Sequence, residues 1–247
     1  MSLPVVILAG GVATRMRPAT ETVPKALLPV NGRPFADLQL AQLRSSGVTE
    51  VVYSIGHLGS AIVSHVGSGD QYGLRVRYEA DGERPLGTAG PLRAVIDAGL
   101  VTGSFGVING DSYLSLDLAA IERAFTDSHC PALMTVMRNR NRWDASNAIY
   151  RDGRVVCYDK SRPEPLRAQM EWIDYGFAIL SPAVVIERVA PGEAADLSDL
   201  MRDLSREGRL AGHEIAERFY EIGSPEGLAD LQSHLMGLSD MSLRALP

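Results

Sequence analysis

A short apolar run, Pro4 to Ala9, ends abruptly at Gly10-Gly11. It is too short for a helix and rich in Val and Ile, so it reads as a buried strand. A strand buried on both faces needs helices above and below it. Pro34 to Ser46 begins on proline, has helical spacing through Phe35, Leu38, Leu40 and Leu43, and stops at Gly47. Leu58 to Val66 and Thr88 to Leu100 also read as helices. Val51 to Ile55, Leu74 to Tyr78 and Phe105 to Ile108 read as strands between them.

This alternation predicts an α/β fold. Its Rossmann-like central sheet is mixed but mostly parallel, with helices on both faces. The second half changes character. Ala132 to Met137, Ala148 to Arg151, Arg154 to Tyr158 and Trp172 to Leu180 read as strands, and Asp152-Gly153 is a two-residue hairpin turn between two of them. Asp196 to Arg206 and Pro225 to Leu238 read as helices, the latter with Ser224 as cap and Pro225 at its first position. Residues after about Leu238 are expected to fray or to serve packing. We therefore expect one domain over 1–247. A nucleotide-binding half runs to about 115, and a more mixed, β-rich half that shapes the acceptor site covers about 116–247.

Composition removes several classes of function. The formal charge of −6 argues against a nucleic-acid surface. No stretch approaches the roughly 20 apolar residues of a membrane span, and the N-terminus has no secretory pattern. Cys130 and Cys157 match no metal or redox spacing and read as buried thiols in a reducing compartment. A cytoplasmic protein is expected.

The chemistry concentrates near the N-terminus. Leu8-Ala9-Gly10-Gly11-Val12-Ala13-Thr14-Arg15-Met16-Arg17-Pro18 is followed by Pro24-Lys25-Ala26-Leu27-Leu28-Pro29-Val30. Neither GxGxxG nor a Walker loop is present. The ingredients still suit a triphosphate. Paired glycines let backbone N–H groups approach phosphate oxygens. Arg15 offers a planar fork of donors and Lys25 a compact charge. Downstream, Asn109-Gly110-Asp111 places a carboxylate at the end of an apolar strand, where ligands of open α/β sheets sit. Beside a triphosphate, that carboxylate is a natural Mg²⁺ ligand. A plain turn is the alternative for each motif taken alone.

Taken together, GGxxTRMRPxT and PKALLPV resemble the signature of the sugar-phosphate nucleotidyltransferases, whose fold is GT-A-like. The likeness spans about residues 4 to 238 and looks closest to the mannose 1-phosphate and heptose 1-phosphate guanylyltransferases. It implies a catalytic set of Arg15, Lys25 and Asp111. It implies nucleotide contacts from Leu8, Ala9, Gly10, Gly11, Thr14, Arg15, Lys25, Glu79, Gly87 and Thr88. Arg17 matches too, with a structural salt bridge as its other role. Tyr158-Asp159-Lys160 falls where the family has Glu-Lys, and Asp174-Tyr175-Gly176 where it has Asn-x-Gly. Sugar-phosphate contacts are thus expected from Asn109, Gly110, Asn147, Asp159, Lys160, Asp174, Tyr175 and Gly176. Phe219-Tyr220-Glu221-Ile222-Gly223-Ser224-Pro225 resembles the family's second metal motif, with Glu221 in place of Asp. Asp111 and Glu221 are therefore the expected Mg²⁺ ligands.

Pro85-Leu86-Gly87-Thr88-Ala89-Gly90 resembles the corresponding loop of the guanylyl enzymes, so GTP is favoured as the partner of a sugar 1-phosphate. Uridylyl or thymidylyl transfer, and a non-catalytic nucleotide-sugar sensor suggested by Glu221, remain alternatives. A homodimer is left open. No left-handed β-helix domain of the bifunctional relatives is expected. A glycosyltransferase would need a DxD-type motif, which Asn109-Gly110-Asp111 is not. A dehydrogenase would need different glycine spacing.

Overall fold

The computed structural model describes residues 3–11, 13–82 and 84–244, with side chains described as far as 238. Val12 of the glycine loop and Glu83 of the expected base loop lie outside the described residues.

The strands are β1 (Val5–Ala9), β2 (Pro29–Val30), β3 (Arg33–Pro34), β4 (Glu50–Ile55), β5 (Arg75–Ala80), β6 (Phe105–Asn109) and β7 (Ser112–Tyr113), followed by β8 (Ala132–Arg138), β9 (Ala148–Arg151), β10 (Arg154–Tyr158), β11 (Trp172–Leu180), β12 (Leu210–Glu214) and β13 (Tyr220–Glu221). The helices are α1 (Phe35–Ser45), α2 (Gly59–Val66), α3 (Gly90–Asp97), α4 (Leu118–Ser128), α5 (Pro182–Arg188), α6 (Leu197–Arg206) and α7 (Pro225–Arg244). α7 continues past the expected end at Leu238, to Arg244.

A 9-stranded sheet runs in the order β5-β4-β1-β6-β11-β8-β12-β10-β9. β5, β4, β1 and β6 are mutually parallel. β11 runs against β6 and β8, and β10 against β12 and β9. All other strands point the same way, as the α/β reading expects. The carboxyl ends of β1, β4, β5 and β6 therefore open on one edge, where the loops carrying the sequence motifs emerge.

Strand alternation divides the core into two apolar layers. Val5, Ile7, Val51, Tyr53 and Ile179 face α1, α2 and α4 through Leu40, Ile62 and Ile121. Val6, Val52, Val107, Ala178 and Leu180 face α3, α5 and α6 through Leu92, Val185 and Met201. The hairpin reading holds in detail. Asp152 and Gly153 both have positive φ, as a two-residue primed turn requires. Among the described residues no helix is long and apolar enough to cross a membrane.

Packing at the sheet centre leaves no spare volume. A Cβ at Gly106 of β6 would lie 2.6 Å and 2.9 Å from the ring of Phe177 and 3.2 Å from Val5. Phe177 is buried and cannot swing clear. Gly106→Ala should cost about 1–3 kcal/mol of stability by overpacking. A urea titration would show a lower midpoint at unchanged slope; an unchanged midpoint would mean the core can relax there.

Candidate active site

Asp111 is held from three sides. Gly110 donates its N–H to the Leu8 carbonyl at 2.8 Å, and a Cβ at Gly110 would lie 2.9 Å from that oxygen. Only glycine lets β6 leave the sheet so close to β1. Behind the loop, the buried Gln39 of α1 donates Nε2 to the carbonyls of Asn109 and Ser112, at 2.9 Å and 2.8 Å. From the far end of the chain, β13 pairs with β7, setting Glu221 opposite Ser112. The Ile222 N–H completes the clasp on the Asp111 carbonyl at 3.0 Å. Thus two segments 110 positions apart in sequence are joined by a two-stranded ribbon. As expected, Ser224 caps the following helix, accepting from the Gly227 N–H at 3.1 Å.

The cations approach from the N-terminal loop. Lys25 sits on a short 3-10 turn, Lys25–Leu27, and its Nζ meets Asp111 Oδ2 at 2.8 Å. Arg15 lies on a second such turn, Thr14–Met16. That turn is anchored where the Ala13 carbonyl accepts from the buried Thr20 hydroxyl at 2.9 Å. Gly223 marks the meeting point. A Cβ there would lie 3.2 Å from Arg15 Nη2, 3.3 Å from Glu221 Oε1 and 3.4 Å from Asp111 Oδ2. Burial, then the nearby Asp111 charge, push the Glu221 carboxyl above the usual carboxylate range, with Arg15 and Lys25 pulling the other way.

The donor set fits a hard divalent cation. Two carboxylates converge, and among the described residues no cluster of three or more His, Cys, Asp or Glu could hold a metal. Mg²⁺ commonly takes one or two protein carboxylates and leaves the rest of its shell to phosphate and water.

Beyond Asn109, on the face covered by α3 and α6, lies a cavity of about 110 Å³ lined by Thr88, Asn109, Tyr158, Lys160, Asp174, Gly176 and Asp196 among others. Asp174 Oδ1 accepts from the Gly176 N–H at 3.0 Å, and Oδ2 faces the Tyr158 hydroxyl at 3.3 Å. Burial raises its pKa, against the pull of the Gly176 N–H and Lys160. Asn147 Oδ1 accepts from the Asp174 N–H at 2.9 Å, so Asn147 orients Asp174. Thr88 donates to Asp196 at 3.1 Å and accepts from the Leu197 N–H at 2.8 Å. Burial penalises the Asp196 carboxylate, yet donors from Ser198 and Thr88 hold its pKa below the usual range. Gly87 has φ +74°, and a Cβ there would lie 2.3 Å from the Ala195 carbonyl. Its glycine is therefore demanded by the loop's closure on Ala195.

Two expected sugar-site residues point elsewhere. Tyr175 falls on the opposite face of β11 from Asp174 and Gly176. It is buried edge-on to Phe219, with its hydroxyl accepting from the Ser115 N–H at 3.2 Å. Asp159 does not line the cavity. Its carboxylate accepts from the Ser161 hydroxyl and N–H at 2.6 Å and 2.9 Å and pairs with Arg206 at 3.1 Å, and those Ser161 donors, with Arg206, hold its pKa low against burial. Arg17 is exposed, and among the described residues it forms no salt bridge. Leu8 and Ala9 end β1, Gly10, Gly11 and Thr14 continue the loop, and Glu79 lies inside β5 opposite Ser54. Sequence reasoning gave no role at the site to Gln39, Tyr158 or Asp196. The sequence marked Asp196 only as the first residue of a helix, and in the structure it caps that helix by accepting from the Ser198 N–H.

Relatives were found by sequence and by structure. The chain is 29% identical over 231 residues to the N-acetylmuramate alpha-1-phosphate uridylyltransferase of Neisseria meningitidis, covering 92% of this chain and 96% of that protein. It is 27% identical over 234 residues to the mannose-1-phosphate guanylyltransferase of Mycobacterium tuberculosis, where it spans only 64% of the relative's length. Among solved structures, HddC from Yersinia pseudotuberculosis superposes with a TM-score of 0.77 at 22% identity, covering 94% of this chain and 99% of that one. The sequence model of the nucleotidyl transferase family matches residues 4–146, more than half of the chain. The chain belongs to the nucleotidyl transferase family, an enzyme family whose matched members are sugar-1-phosphate nucleotidyltransferases.

Proposed function

We propose that this enzyme joins a nucleoside triphosphate, with GTP favoured, to a sugar 1-phosphate such as mannose or heptose 1-phosphate, releasing pyrophosphate. One observation carries the reading. Arg15, Lys25, Asp111 and Glu221 meet around Gly223, at the sheet edge next to the cavity that holds Lys160 and Asp174. The N-terminal loops, to about residue 115, serve the nucleotide; residues from about 116 on shape the sugar phosphate site within the same domain.

The substrate phosphate is already an anion at neutral pH, so no covalent nucleophile is needed. Its oxygen attacks the α-phosphorus in line. A new P–O bond forms, the α–β bridging P–O bond breaks, and pyrophosphate departs with the electron pair. Catalysis is then alignment and charge stabilisation. Lys160 holds the attacking phosphate. Asp174, oriented by Asn147, accepts hydrogen bonds from sugar hydroxyls, as does Asp196. Arg15 and Lys25 neutralise the charge that builds on the leaving pyrophosphate. Asp111 and Glu221 would hold Mg²⁺, which when bound neutralises and orients phosphate oxygens.

Relatives named mannose-1-phosphate guanylyltransferases support GTP, and HddC was also solved in complex with GMP-PN. Uridylyl transfer is the second reading, favoured by the full-length match to the Neisseria enzyme. Pyrophosphate release with Mg²⁺, from GTP, UTP, dTTP, CTP or ATP against a panel of sugar 1-phosphates, tests the proposal. Release with one pair identifies both substrates, and no release with any pair sinks the reading. In the same assay Lys160→Ala should raise the KM for the sugar 1-phosphate by about 10-fold or more, the loss of one charge-assisted contact. The KM for the nucleotide should stay near its wild-type value. Equal changes in both would place Lys160 elsewhere.

A further inference from the structure

We propose that Trp143 and Arg218 form a brace that ties the loop 139–146 to β13, holding Asn147 and Glu221 in a fixed relation. They act through those two residues, so both are positioning residues for the transfer. The inference rests on the proposed roles of Glu221 toward the metal and of Asn147 and Asp174 toward the acceptor.

The loop is stiffened by its own hydrogen bonds. Asn139 and Ser146, near its two ends, are buried. Asn139 donates Nδ2 to the Asp144 carbonyl at 2.5 Å and to Ser146 Oγ at 3.2 Å, and its Oδ1 accepts from the Trp143 N–H at 3.0 Å. The Asn141 N–H donates to Ser146 Oγ at 3.0 Å, and the Ser146 N–H returns a bond to Asn141 Oδ1 at 2.9 Å. A loop bonded in this way presents Trp143 outward, 42% exposed. It runs straight into Asn147, which orients Asp174 in the cavity.

On the other side, Arg218 and Tyr220 lead into Glu221. The Arg218 guanidinium carbon lies 3.8 Å from the centroid of the Trp143 ring and 4.7 Å from that of Tyr220. Tyr220 in turn stacks on His234 of α7, with centroids 4.3 Å apart and planes 16° from parallel. Arg142 lies over Trp143 at 4.5 Å. A ladder of Arg142, Trp143, Arg218, Tyr220 and His234 thus crosses from the loop to the last helix, and Glu221 follows directly on one of its members. Arg218 also pairs with Asp230 of α7, and its Nε is buried with no hydrogen-bond partner among the described residues. A guanidinium withdrawn from water gains more from a ring face than an exposed one does.

Among the described residues no hydrogen bond or ion pair joins the loop to Arg218 or β13, which leaves the ring contact to join them. The two segments also sense each other electrostatically. After burial and Asp111, Asp144 of the loop is among the groups that raise the Glu221 pKa. In-line transfer needs the acceptor phosphate and the metal-bound phosphate aligned, and small misplacements cost large factors in rate. A contact that fixes Asn147 relative to Glu221 serves that alignment without reaching either substrate.

The first test needs neither metal nor turnover. Hydrogen exchange of the metal-free full chain is read by mass spectrometry. Trp143→Ala should speed exchange in 219–223 as well as in its own loop, including the Ile222 N–H that bonds to Asp111. Arg218→Ala should speed exchange in 139–146. Each rise should be about 3- to 30-fold, the worth of one cation–π contact. Trp143→Phe, which keeps a ring face, should recover most of the protection. Exchange that rises only around the substituted residue would overturn the inference. The second test is pyrophosphate release. Trp143→Ala should lower kcat about 10-fold and raise both the half-saturating Mg²⁺ concentration and the KM for the sugar 1-phosphate. The KM for the triphosphate at saturating Mg²⁺ should stay near its wild-type value. Trp143→Ala combined with Arg218→Ala should be little worse than either alone, because both remove one contact. Strictly multiplicative losses would overturn the brace. So would a lower urea midpoint with kcat, Mg²⁺ requirement and acceptor KM all unchanged, which would leave only a structural contact. Wild type that releases pyrophosphate with no substrate pair would instead remove the proposed function, and the positioning role with it.

Discussion

Lys25→Ala reduces turnover by about 10²-fold or more, the scale of losing one preorganised electrostatic group. The expectation comes from where the ammonium lies. It touches Asp111 at 2.8 Å, with both side chains only about one-fifth exposed (21% and 19%). Arg15 borders the same point from the other loop. On the proposed mechanism, charge grows beside these two cations as pyrophosphate leaves. With Lys25 gone, Arg15 is left facing the two carboxylates around Gly223. A divalent cation held as proposed would compete with the ammonium for Asp111, so Lys25→Ala should not weaken the metal dependence. The signature is a large fall in kcat with an unchanged or lower half-saturating Mg²⁺ concentration. Lys25→Arg should rescue poorly, because a planar fork cannot occupy the place of a compact charge. Near-wild-type turnover in Lys25→Ala would take this residue out of catalysis.

How much of this was legible in the sequence depends on whether a feature is local. The glycine loop, the helices around Leu40 and Leu204 and the Asp152-Gly153 turn declare themselves through periodicity and turn chemistry, and the structure holds all of them. Helix α4, whose Asp117 cap accepts from the Ala120 N–H at 3.0 Å, and β12, which lies between β8 and β10, gave weaker patterns and were not foreseen. Of the expected sugar residues, Tyr175 lies off the cavity for a simple reason. A motif names neighbours in sequence, but a strand sends neighbours to opposite faces. Asp174 and Gly176 therefore reach the cavity, while Tyr175 enters the core. Asp159 was spent on closing its own turn with Ser161. Gln39 matters through a contact 70 positions away in the chain, which no local pattern encodes.

Asp111→Asn should be at least as damaging as loss of Lys25, and it should fail differently. The amide keeps the shape of the loop, because the contacts that hold the loop run through the backbone of Gly110 and Asp111 and through Gln39. Folding should therefore survive. What is lost is one of two anionic oxygen donors around Gly223, and with it the partner of Lys25. The Asp111 charge is also one reason the Glu221 carboxyl titrates high, so Glu221 should ionise more readily in the variant. One carboxylate is still a poorer Mg²⁺ site than two, and its shell would be left to phosphate and water. The expected result is a drop of about 10²-fold or more in kcat, with a higher Mg²⁺ requirement. Groups that act through one ion are not additive. Asp111→Asn combined with Glu221→Gln should thus be little worse than the more severe single variant. Mg²⁺ titrations of pyrophosphate release for both single variants and the pair would show this, and strictly multiplicative losses would mean that the two carboxylates serve separate purposes.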